Sequence, residues 1–137
     1  MAGYSSTPLW KKLGYRAGIV AHVESAPTDY VASLNLPADV APEWGSRVGR
    51  DTALVHLFVT GRASLEQRLK SLRKTIPSDC AVWVSWPKKA SRVPTDVTED
   101  VIRDVALPLG FVDIKVCAVD EIWSGLKLMI RRELRSS

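Results

Sequence analysis

The segment Trp86-Pro87-Lys88-Lys89-Ala90-Ser91-Arg92-Val93-Pro94-Thr95-Asp96 puts three cations and two prolines between an apolar strand and the start of a helix. Lys88, Lys89 and Arg92, with Ser91 among them, are suited to hold an anion, because the free amides and dipole of the helix that Asp96 begins would add to their charge. The alternative is a solvated basic loop, paired with Asp96, Glu99 or the acids Asp120 and Glu121. Asp120, Glu121 and Ser124 could form a carboxylate acid or base pair with a hydroxyl close to a lysine. Turns also favour Asp and Ser for conformational reasons alone. Trp86 and Trp123 stand at strand ends, where they could wall a planar ligand such as a nucleotide base; Trp10 and Trp83 read as core.

Other reactive types read as structure. His22 and His56 lie in strands, without a third ligand at metal spacing, which suits hydrogen-bonded core histidines better than a metal site. Cys80 and Cys117 sit in apolar runs with no CxxC or Cys and His cluster, so reduced, buried thiols are expected. Arg62, Arg68, Lys70, Arg73 and Lys74 decorate one helix, and Arg131, Arg132 and Arg135 follow at the end of the chain. Together they would make a basic patch of the kind that faces nucleic acid, although no recognition motif accompanies it.

The elements that position these residues emerge from changes of hydrophobic period. Thr7 to Gly14 reads as a short helix capped by Thr7, Ile19 to Val23 as a strand, and Pro27 to Leu34 as a short helix. Leu36 to Arg50 is poorly patterned and suggests an edge strand near Arg47 and Val48. Ala53 to Val59 and Ala81 to Trp86 are apolar strands. Between them Leu65, Leu69, Leu72 and Ile76 recur at helical spacing behind a Ser64 and Gln67 capping box. Asp96 is expected to cap a helix with the stripe Val97, Val101, Val105 and Leu109, ended by Gly110. Val112, Ile114, Val116 and Ala118 then alternate on one strand, Leu126, Leu128 and Ile130 on the next, with Asp120 to Gly125 as the turn. Strands apolar on both faces imply a parallel sheet covered twice. The expected architecture is one doubly wound α/β domain over residues 1–137, mostly parallel, with helices on both faces and a C-terminal antiparallel hairpin. In such a sheet Glu24, Ser25, Thr60, Arg62, the Trp86 to Asp96 segment and the hairpin tip meet along the edge where ligands bind.

Composition sets outer limits. The 137 residues are 46% hydrophobic, enough for one core, and the net charge of +4 is a modest excess. Met1 to Lys12 has no apolar leader and no stretch suits a membrane span, so a cytoplasmic protein without membrane contact is expected.

Thr7-Pro8-Leu9 with Lys11-Lys12-Leu13-Gly14, Trp86-Pro87-Lys88-Lys89, Thr98-Glu99-Asp100-Val101 and the run from Ala106 through Val112-Asp113, Lys115-Val116-Cys117-Ala118, Asp120-Glu121 and Trp123-Ser124-Gly125-Leu126 to Arg131-Arg132 resemble a family of small bacterial proteins of unassigned function. That resemblance implies no activity. The order of elements and the closing hairpin are also similar to the class I S-adenosylmethionine-dependent methyltransferase fold. In that fold a glycine-rich turn after the first strand lets the cofactor approach the backbone. Here His22-Val23-Glu24-Ser25-Ala26-Pro27 contains no glycine, and its side chains and Pro27 are expected to fill that space. The resulting expectation is a non-catalytic binding or regulatory module for an anionic or nucleotide-like ligand, with no cofactor or catalytic residue assigned. A divergent methyltransferase-like enzyme and a nucleic-acid-associated accessory factor are the alternatives.

Overall fold

The computed structural model describes residues 7–135; residues 1–6, the first half of the leader reading, lie outside them. The elements run α1 (Leu9–Leu13), β1 (Val20–Glu24), α2 (Tyr30–Leu34), β2 (Glu43–Trp44), β3 (Thr52–Phe58), α3 (Arg62–Thr75), β4 (Ala81–Pro87), α4 (Glu99–Leu109), β5 (Phe111–Ala118) and β6 (Trp123–Ile130), with 3-10 turns at Lys89–Ser91 and Arg132–Leu134. They build one six-stranded sheet of order β2-β1-β3-β4-β6-β5. The first four strands in that order are parallel; β6 runs against both its neighbours.

The period of two in the central strands divides the core between the faces. Val55 and Leu57 of β3 with Val82, Val84 and Trp86 of β4 pack under α3 and α4. Leu54, Phe58 and Trp83 point the other way, against Leu13 of α1 and Tyr30 and Leu34 of α2. Trp83 is fully buried, and its indole N–H donates to the Leu13 carbonyl at 2.8 Å, which ties α1 to the sheet. The expected doubly wound fold, with helices on both faces and a terminal hairpin, is the fold observed.

Four local expectations need correction. The edge strand lies at Glu43–Trp44, before Arg47 and Val48, because the Glu43 and Gly45 amides donate to Ile19 and Ala21 of β1. Gly61 occupies the N-cap of α3 in place of Ser64, and Asp96, expected to cap α4, instead accepts from the Arg62 amide at 2.7 Å. Thr98 caps α4, its hydroxyl accepting from the Val101 amide, so the buried stripe moves to Ile102, Val105 and Ala106. In the hairpin the register slips between Asp113 and Lys115. That extra residue flips the parity of β5, splits the expected apolar face and leaves Ile114 and Val116 about half exposed.

Candidate functional site

Between β1 and β3 the chain changes direction across the sheet: β2 is added on one side of β1, and β3 and β4 on the other. Such a switch point opens a crevice at the carboxyl ends of the strands. A cleft of about 400 Å³ lies there, bounded by Glu24 at the end of β1 and Ser25 beyond it, Thr60 and Gly61 after β3, Ser64 and Arg68 of α3, and Trp123 of β6. Trp123 meets Phe58 edge to face at 5.1 Å between ring centres, giving the cleft one aromatic wall.

Two backbone features leave this crevice open. Ser25 adopts φ 59°, the left-handed step that glycine usually supplies, so the turn after β1 keeps that conformation without glycine. Pro27 is not among the cleft's lining residues. The expectation that side chains and Pro27 fill the space is therefore corrected: Glu24 and Ser25 border an open cleft, and Pro27 does not line it. Gly61 has φ −120° and ψ 134°, which any residue can adopt, and a Cβ there would meet no heavy atom within 4 Å. Neither packing nor conformation requires glycine at 61; its missing side chain leaves room beside the start of α3. Of the four amides of that first turn, Arg62 is taken by Asp96 and Leu65 by the Gly61 carbonyl, and no described residue accepts from the other two.

Glu24 is held by a charged bridge that no local pattern announces. Arg68 grips both carboxylate oxygens, with Nε donating to Oε1 at 2.8 Å, and His22 Nε2 approaches Oε2 at 2.9 Å. The Nδ1 of the same ring lies 2.9 Å from the Gly45 carbonyl. A neutral imidazole has one N–H to give, so both bonds form together only on the doubly protonated ring. Burial alone would raise the Glu24 carboxyl, but the hydrogen bonds from Arg68 and His22 outweigh it and hold the group below the ordinary carboxylate value. Since Glu24 and Arg68 are both part-exposed, Arg68→Ala should cost only about 1 kcal/mol in urea denaturation, with Arg68→Lys recovering part of it. Equal stability of wild type and alanine variant would show that the bridge does not fix Glu24.

On the opposite face of the same strands runs a buried polar chain. Ser85 Oγ lies 2.7 Å from His56 Nε2, His56 Nδ1 2.8 Å from the Tyr30 hydroxyl, and that hydroxyl 2.8 Å from the Tyr15 hydroxyl. His56 also stacks on Phe58 at 4.4 Å, so the chain supports the aromatic wall of the cleft. Burial pushes His56 down to about 3 and Tyr15 up to about 12, so both are neutral at physiological pH. His22 and His56 thus occupy adjacent strands but face opposite sides, since His22 pairs with Val55 and His56 with Val23. No group of three or more His, Cys, Asp or Glu able to hold a metal ion exists among the described residues. Both cysteines are buried, and burial, helped by Asp79, pushes the Cys80 thiol up to about 12.

The residues singled out in the sequence share this edge but not one cleft. The Lys88 amide donates to the Ile122 carbonyl at 2.7 Å, and Pro87 pairs with Trp123, so the Trp86 to Asp96 segment does meet the hairpin tip. Trp123 lines the switch-point cleft. Lys88 and Asp120 instead border a neighbouring groove of about 510 Å³ with Leu9, Lys12 and Glu121. Trp86 is 9% exposed and turns into the core under α3 and α4. Lys89 and Arg92 are exposed, the Ser91 hydroxyl donates to the Lys88 carbonyl, and Ser124 pairs with Trp86. Asp120 Oδ1 accepts from the Ile122 and Trp123 amides at 2.8 and 2.7 Å, a bond set that builds the turn. Gly61, Ser64 and Arg68 were absent from the sequence-derived site; Trp123 and the strand ends at Glu24, Ser25 and Thr60 pointed towards it.

Three solved structures set this geometry in context. A SAM-dependent methyltransferase from Aquifex aeolicus aligns over 90% of this chain and 88% of its own, at 11% identity and a TM-score of 0.62. Magnesium protoporphyrin IX methyltransferase from Synechocystis, with bound SAM, aligns over 93% and 74%, at 12% identity and 0.55. LepI in complex with SAM aligns over 91% of this chain and 47% of its own, at 9% identity and 0.53, so the chain spans about half the length of LepI. No family model and no curated protein matches the chain. At these identities the likeness is one of fold, and the fold is that of SAM-dependent methyltransferases. This repeated likeness overturns the expectation of a non-catalytic binding or regulatory module and, with it, the preference against an enzyme. No helix among the described residues is long and apolar enough to cross a membrane.

Proposed function

We propose that the chain is a divergent methyltransferase-like enzyme, with S-adenosylmethionine held in the switch-point cleft. The observation that carries this reading is the open space at Gly61 beside the start of α3, in a sheet whose fold is shared with SAM-dependent methyltransferases. The fit is chemical as well as spatial. Two uncommitted amides and the Ser64 hydroxyl at the start of the 14-residue helix α3 suit the cofactor's carboxylate. Ser25 and Thr60 offer hydroxyl contacts, and Trp123 and Phe58 an aromatic wall. A cleft of about 400 Å³ falls in the size range of cofactor sites. When bound, S-adenosylmethionine supplies an electrophilic methyl group.

The chain's own residues then position an acceptor. The groove beside the cleft is mainly apolar, with Leu9, Ala90 and Val119 in its lining, and carries Lys12 and Lys88 as cations. It suits an acceptor with an apolar body and an anionic or polar end. Asp120 is committed to the turn, so Glu121 is the tip carboxylate open to an acceptor proton. Methyl transfer to an atom already nucleophilic asks chiefly for such positioning. Calorimetric titration of S-adenosylhomocysteine, the demethylated product, into the wild type should give saturable 1:1 binding. The absence of binding at millimolar ligand would reject the cofactor reading.

A further inference from the structure

We propose that a second cleft, at the opposite edge of the sheet, binds a small molecule carrying clustered phosphate groups. This cleft, of about 640 Å³, opens where the end of α3, the end of β6 and the 3-10 turn Arg132–Leu134 come together, with Arg50 arriving from the loop before β3. Arg50, Arg73 and Lys74 line it and no acidic residue does. Among the described residues none of the three forms an ion pair.

The cations are brought together by the tertiary fold. Arg73 and Lys74 in the last turn of α3 offset the helix dipole, which alone would explain them. Arg50 comes from a separate segment and has no such reason to be there. Arg73 is also fixed in place: its Nε donates to the Leu109 carbonyl at 3.0 Å, which leaves the outer guanidinium nitrogens as its remaining donors. Gly110 makes that placement possible, since a Cβ there would fall 3.0 Å from Arg73 Nε and 2.9 Å from Leu134 Cδ1. Ile76, Ile130 and Leu134 supply an apolar wall. Like charges gathered without counter-charge repel one another, and a compact polyanion relieves that repulsion. The basic face read from sequence suggested an extended nucleic-acid surface; a bounded cleft with an apolar wall, in the volume range of small-ligand sites, favours a compact oligophosphate. The proposal stands apart from the cofactor reading and shares no lining residue with it.

The test is calorimetric titration of inorganic tripolyphosphate into the full chain. Saturable binding is expected, weakened roughly tenfold or more in Arg50→Glu with Lys74→Glu, two exposed positions. The control Lys70→Glu with Lys115→Glu changes net charge equally at exposed sites outside the cleft and should leave affinity within about twofold. Arg50→Ala with Lys74→Ala gives the same reading should the reversed charges disturb folding. No saturable binding, equal losses in both charge-reversed proteins, or tighter binding of a single-stranded oligonucleotide than of tripolyphosphate would each overturn the proposal.

Discussion

Between pH 6.5 and 4.5 the wild type is expected to lose about 2 kcal/mol of stability that His56→Gln does not lose. The sign follows from which state takes the proton. His56 is fully buried and held down to about 3, against an ordinary value of 6.5, so in this window the unfolded chain binds a proton that the folded chain refuses. The contribution is complete well above pH 6.5, begins to fall around that value, and below it shrinks by about 1.4 kcal/mol per unit until the pH reaches the folded value. Carboxyls held low, such as Glu24 and Asp113, are shifted in the same sense and also lose their contribution as the pH falls, but only below the ordinary carboxyl value, which lies under this window. Glutamine can retain a hydrogen bond to Tyr30 or Ser85 without a titrating ring. His56→Ala removes the ring entirely, leaving a cavity and depriving the Ser85 and Tyr30 hydroxyls of a partner; a loss of about 3–5 kcal/mol at pH 7 is expected. Urea denaturation of the three proteins at pH 7, 5.5 and 4.5 measures both effects. Parallel acid losses in wild type and His56→Gln would remove His56 as their source.

Gly61→Phe should lower affinity for S-adenosylhomocysteine by about a hundredfold or more while shifting the unliganded thermal midpoint by only a few degrees. The two expectations come from one observation. The Gly61 backbone is extended, so phenylalanine carries no conformational penalty, and a Cβ there meets no heavy atom within 4 Å, so the side chain starts into open space. A ring at this N-cap position is expected to take up space next to the α3 amides, and a lost fit of about 2.7 kcal/mol corresponds to that hundredfold change. Undiminished binding would place the ligand elsewhere on the molecule.

How far the sequence discloses this site depends on the range of each interaction. The parallel core was legible because Ala53–Val59 and Ala81–Trp86 carry both faces of the sheet in a continuous apolar run, and Gly110 marked the end of α4 through its φ of 104°. The hairpin was legible as two strands but not in its register, since the slip at Ile114 leaves no distinctive residue type behind. Asp96 was assigned to the nearer helix because capping is judged from local spacing, whereas its true partner is the Arg62 amide 34 residues earlier. The Glu24–Arg68 bridge spans 44 residues and exists only once α3 lies over β1. Most consequential was the turn after β1. The absence of glycine argued against a cofactor, yet Ser25 takes the left-handed conformation itself, and open space beside the backbone comes from Gly61 on the neighbouring connection.

The most direct test of the switch-point cleft as the cofactor site is ultraviolet cross-linking of methyl-tritiated S-adenosylmethionine to the wild-type chain, followed by peptide mapping. Label is expected on the peptides carrying Ser25 and Thr60 to Ser64, with competition by excess S-adenosylhomocysteine. Competable label confined to other peptides, or no competable label at all, would contradict it.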